Sequence, residues 1–85
     1  MNALFTPHGW ADYDYWERTD RDVQRRIDNL ISELRQDPGA GIGKPERLRG
    51  PLDGCWSRRI TGEHRLVYLV SGDKSVIMQA RYHYQ

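Results

Sequence analysis

The apolar positions of this 85-residue chain repeat with two different periods. Val23, Ile27, Leu30, Ile31 and Leu34 recur three or four residues apart. That spacing predicts an amphipathic helix with one buried stripe, its other face carrying Arg21, Arg25, Asp28 and Arg35. Thr19 or Asp20 supplies the N-cap, Asp22 sits near the positive end, and Pro38-Gly39 stops the helix. Upstream, Ala3–Phe5 reads as a short strand, and Thr6-Pro7 as the cap and first residue of an earlier helix. Trp10, Tyr13 and Trp16 follow at three-residue spacing, which predicts one aromatic face forming the main aromatic core. Only a few residues join the two helices, so an antiparallel hairpin is expected.

The last third of the chain reads as strands. Cys55–Thr61 and His64–Val70 flank Gly62-Glu63, a compact turn. Ser71-Gly72-Asp73-Lys74 is a second turn signal, and Ser75–Tyr82 follows as a further strand. Residues 38–54 read as a loop rich in Gly and Pro. The order predicts an α+β fold: two N-terminal helices packed on one face of an antiparallel sheet, whose other face is free and carries most of the excess arginine. A two-residue turn at Gly62-Glu63 would pair Ile60 with Arg65 and put Arg59 and Arg65 on opposite faces. A longer turn or a bulge would bring them together.

Length predicts a single domain, 1–85, with a small core. The longest wholly apolar run is Leu66–Val70, far short of the roughly 20 residues that span a bilayer. No membrane association is expected, and the opening residues do not read as a secretory signal. The single cysteine, Cys55, excludes a disulfide framework and a multi-cysteine zinc site, so a cytoplasmic location is expected.

Net charge is only +1, but it is unevenly placed. Residues 1–43 hold five Arg against eight Asp and Glu, whereas residues 44–85 hold eight Lys and Arg against four. Arginine outnumbers lysine eleven to two, and its fork suits phosphate oxygens. Gly43-Lys44 is no nucleotide loop, because Pro45 stands where a magnesium-binding Ser or Thr is required. His8, His64 and His83 lack metal-ligand spacing, so neither a metal nor another cofactor is expected.

A carboxylate, a histidine and arginines suit one reaction, cleavage of RNA without metal. A carboxylate takes the 2′-hydroxyl proton, an imidazolium protonates the leaving 5′-oxygen, and guanidinium groups stabilise the charge that builds on the phosphate. Glu46, the arginines and the terminal His83-Tyr84 pair are the candidates.

Several separate segments resemble one family: Gly43-Lys44-Pro45-Glu46; Leu52-Asp53-Gly54-Cys55-Trp56-Ser57-Arg58-Arg59-Ile60-Thr61; Glu63-His64-Arg65-Leu66-Val67-Tyr68; and Arg81-Tyr82-His83-Tyr84. Together with Trp10-Ala11-Asp12-Tyr13, they make the whole chain similar to the YoeB toxins of the RelE/ParE toxin–antitoxin superfamily. The resemblance implies a microbial-ribonuclease-like, RelE-like fold. It also implies a ribosome-dependent mRNA endoribonuclease that leaves a 2′,3′-cyclic phosphate. On it, Glu46 would be the general base, His83 the general acid, Arg65 the stabiliser of the phosphorane, and Tyr84 the aromatic at the scissile site. Lys44, Arg49 and Arg59 would contact phosphate, Arg49 replacing a lysine found in the family. Implied partners are the ribosome, mRNA, a YefM-like antitoxin and a second copy of the chain. Two rival functions remain: a ParE-like toxin acting on DNA gyrase, which would share the fold, and a module that holds RNA on its arginine face without cutting it.

Overall fold

The computed structural model describes residues 2–82. Strand β1 (Asn2–Phe5) leads into helices α1 (Pro7–Thr19) and α2 (Arg21–Gln36). Strands β2 (Glu46–Arg47), β3 (Cys55–Arg59), β4 (Arg65–Ser71) and β5 (Lys74–Gln79) follow, with a 3₁₀ turn at Gly50–Leu52. The strands form one five-stranded sheet in the order β1-β5-β4-β3-β2. The two helices cover one face, as the residue pattern predicts. The sheet is mixed rather than wholly antiparallel, because β1 lies parallel to β5. The two helices bring the chain into β2 opposite in sense to β1, and the three antiparallel reversals from β2 to β5 then leave β5 parallel to β1.

Local chemistry explains the helix ends. Thr6 accepts a hydrogen bond from the Gly9 amide, with Pro7 opening α1. Asp20 caps α2 through the amides of Asp22 and Val23. Ile27, Leu30 and Leu34 are wholly buried on the predicted stripe. They join Trp16, Ile60, Leu66, Tyr68 and Ile77 in the core. Trp10 departs from expectation. It is 54% exposed, because the face it shares with Tyr13 wraps over Phe5 at the edge of the molecule rather than into the sheet.

Gly9 has a specific task. A Cβ there would lie 2.2 Å from the Ile77 carbonyl oxygen, so α1 packs against β5 at a distance only glycine permits.

Arg58 is the main correction to the free-face picture. Trp56, Arg58 and Ile60 share the strand phase that faces the helices, and Arg58 is wholly buried. Its Nε donates to the Tyr68 hydroxyl at 3.0 Å. Nη1 donates to the Ile42 carbonyl at 2.9 Å, and Nη2 to those of Asp37 at 2.8 Å and Ala40 at 2.6 Å. Tyr68 in turn donates to the Pro38 carbonyl at 2.6 Å. Burial pushes the Tyr68 phenol up from its ordinary range, although the neighbouring guanidinium pulls the other way, so the hydroxyl stays a donor. The opposite sheet face is not bare either. Leu48, Cys55 and Val67 form a small second cluster there, and burial pushes the Cys55 thiol up and keeps it protonated.

Two substitutions test this packing. Arg58→Met strips the donor from several loop carbonyls and should lower the unfolding free energy by about 3 kcal/mol or more in urea titrations. Gly9→Ala should cost about 1–3 kcal/mol by overpacking, also read by urea. A neutral result in either case contradicts the contact described.

Candidate functional site

Arg58 sits at the centre of the path that brings a carboxylate to the sheet. Its bonds gather the carbonyls of residues 37–42 into a compact turn. Beyond it the Arg59 amide donates to the Gly43 carbonyl at 2.6 Å. Lys44 then adopts a left-handed φ of 50°, and the chain enters β2. Glu46 therefore lies on a short strand, not in an irregular loop, and pairs with Ser57 of β3. Two residues were too few to show a strand period in the sequence.

The β3–β4 turn decides where the arginines go. It spans residues 60–64, longer than the two residues expected, and the amides of Ile60 and Thr61 both donate to the His64 carbonyl. Arg59 consequently pairs with Arg65, and Arg58 with Leu66. Residues directly opposite share a face, so Arg59 and Arg65 both project away from the helices with Glu46 and Ser57. The longer-turn alternative is the one adopted.

On this face Arg65 Nη2 lies 3.6 Å from Glu46 Oε1 and donates to Ser57 Oγ at 2.9 Å. The Arg65 side chain is 12% exposed and that of Glu46 55%. A held guanidinium therefore stands beside an accessible carboxylate. Such a pair can present a base and a positive charge to one phosphodiester. Arg59 is exposed on the same face. Arg49 precedes the 3₁₀ turn and lines an open pocket of about 420 Å³ with Arg47, Leu48, Gly50 and Asp53. Lys44 is exposed on the approach to β2. His83 and Tyr84 lie outside the described residues.

The chain just before them is firmly held. The Ala80 amide donates to Asp12 Oδ2 at 2.9 Å, and Trp16 Nε1 donates to the Ala80 carbonyl at 2.8 Å. The Arg81 guanidinium stacks 3.6 Å from the Tyr15 ring centroid. The Arg65 amide donates to the Tyr82 carbonyl at 3.0 Å. One strand residue of the site thus also holds the backbone that leads to His83.

Ser57 and Arg58 escaped the sequence reading as contributors. The sequence gives no sign of Ser57's role, since its partner Arg65 comes from the next strand. Arg58 carried a usable signal, its alternation in phase with Trp56 and Ile60.

Over residues 5–84 the chain matches the family described as "YoeB-like toxin of bacterial type II toxin-antitoxin system". Toxin YoeB of Streptomyces coelicolor is 55% identical over 84 residues, covering 99% of this chain and 100% of that protein. A YoeB/ParE toxin from Agrobacterium tumefaciens superposes with a TM-score of 0.95 at 46% identity, covering 99% of this chain and 100% of that one. A chain of the YoeB-YefM complex from Staphylococcus aureus superposes with a TM-score of 0.91 at 38% identity, covering 99% and 98%. A YoeB dimer from the same organism gives 0.90 at 39% identity, again covering 99% and 98%. A full-length match at this identity, on a matching fold, establishes that the chain belongs to the YoeB-like toxins of bacterial type II toxin–antitoxin systems.

Proposed function

We propose that this toxin is a ribosome-dependent, metal-independent endoribonuclease that cuts mRNA by general acid–base catalysis. The observation that carries the reading is the 3.6 Å approach of Glu46 to Arg65 on the open sheet face. Glu46 takes the proton from a ribose 2′-hydroxyl, whose oxygen attacks the adjacent phosphorus. The bond from phosphorus to the 5′-oxygen breaks, and His83 gives that oxygen a proton. The products are a 2′,3′-cyclic phosphate and a 5′-hydroxyl. Arg65 faces the phosphate oxygens as charge accumulates on them. Tyr84 stacks on or hydrogen-bonds to the scissile nucleotide, while Lys44, Arg49 and Arg59 hold flanking phosphates.

The roles of His83 and Tyr84 rest on likeness to the family alone. The Glu46–Arg65 pair favours cleavage over the rival functions on physical grounds. A module that only holds RNA loses affinity by placing a carboxylate against the phosphate, and a gyrase binder has no proton to move. By analogy with the Staphylococcus aureus complex, a YefM-like antitoxin restrains the toxin. A disordered antitoxin segment that folds across the basic face would cover the site. The Staphylococcus aureus dimer supports self-association as well.

Primer extension on an mRNA under translation tests the chemistry. Native protein should cut, and Glu46→Ala and His83→Ala should each cut about 10²-fold more slowly or worse. Unchanged cleavage in both variants would remove the proton-transfer assignment. Absent cleavage by native protein, with gyrase inhibited, would move the chain to the ParE-like reading. Arg65→Ala should lower kcat by about 10²- to 10³-fold while ribosome binding changes little. Parallel loss of binding and cleavage would make Arg65 a docking residue.

A further inference from the structure

His64 takes no part in the reaction assigned above, yet its side chain is engaged on several sides beside it. It lies at the end of the β3–β4 turn, immediately before Arg65, and its side chain is 12% exposed. Its ring meets the edge of Trp16 at 4.8 Å and the ring of Tyr82 at 5.1 Å. Its Nδ1 accepts a hydrogen bond from the Tyr82 amide at 2.7 Å. A backbone N–H is a donor by constitution, so Nδ1 must present its lone pair and the ring proton of the neutral form sits on Nε2. Nε2 lies 3.2 Å from the Glu63 carboxylate, which can accept that proton's hydrogen bond.

Tyr82 requires such a hold. Its φ of 58° is left-handed, a conformation that costs a residue with a side chain about 1–2 kcal/mol. Both of its backbone groups are tied to adjacent residues where the β3–β4 turn enters β4, the amide to the His64 side chain and the carbonyl to the Arg65 amide. The next residue in the chain is His83.

We infer that His64 is a positioning residue: its Nδ1 lone pair pins the Tyr82 amide, and so fixes where the segment bearing the general acid leaves the Arg65 end of the site. The inference rests on the reaction proposed for His83. A small displacement of a catalytic group costs chemistry far more than docking. The anchor should therefore act on kcat and leave binding alone.

Three variants separate this role from general packing. Asn places an amide oxygen near the position of Nδ1, Gln places its amide near Nε2, and Leu offers no acceptor. His64→Asn should keep kcat within about threefold of native on programmed ribosomes. His64→Gln and His64→Leu should lose about 10- to 100-fold in kcat with KM little changed. An NMR measurement reads the anchor without reference to activity. The native protein should show a coupling across the hydrogen bond between the Tyr82 amide nitrogen and His64 Nδ1, and slow exchange of that amide. The exchange should stay slow in the Asn variant and speed up in the Gln variant, which keeps the comparison open if the Leu variant fails to fold. Equal kcat in the native and Gln proteins, or an Asn variant as impaired as Gln, would overturn the inference. So would a freely exchanging Tyr82 amide in the native protein. Native protein that shows the coupling but cuts no RNA would sink the proposed reaction, and with it the catalytic purpose of the anchor, while leaving the hydrogen bond itself established.

Discussion

A buried guanidinium bonded to backbone carbonyls and a tyrosine hydroxyl holds this fold together. Burying the Arg58 charge costs several kcal/mol of lost hydration. It is met by three short bonds to backbone carbonyls and one to the Tyr68 hydroxyl, and charge-assisted bonds of this kind contribute about 1.5–3 kcal/mol each. The carbonyls belong to one turn, residues 37–42, and the guanidinium gathers them from beneath it. Charge and turn therefore satisfy one another. Downstream, the same turn delivers Gly43 to β3 and Glu46 to its place opposite Ser57.

Strand alternation then divides the arginines between two tasks. Arg58 and Arg59 are neighbours in the chain but face opposite sides of the sheet. One is sealed under the helices, and the other stands in water beside Arg65. The open face gathers Glu46 from one edge strand and Arg65 from a central one, with Ser57 between them. Arg65 also reaches through its backbone to Tyr82. Groups distant in the chain are thus held to a common frame by ladder geometry, with little dependence on loop packing.

Much of the architecture is legible in the sequence. The cap at Thr6-Pro7 and the stripe Val23–Leu34 state their helices through spacing alone. The strands β3 to β5 announce themselves between turn signals. What escaped detection depends on contacts between distant residues. A five-residue turn and a two-residue turn look alike around Gly62-Glu63, yet they place Arg59 on opposite faces. The two-residue β2 is a strand only because β3 lies beside it. Trp10 has the spacing of a core residue, but α1 packs its Gly9 against Ile77 of β5 and Trp10 falls over Phe5 at the edge. The candidate site rests on residue types and family likeness; the Glu46–Arg65 approach is not visible in the sequence, because it depends on that register.

The parallel pairing of β1 with β5 also governs when the molecule can exist during its own synthesis. Strand β1 waits about seventy residues for its partner. A growing chain on its ribosome therefore keeps an open sheet edge until β5 has emerged, and the sheet is completed late rather than piecemeal.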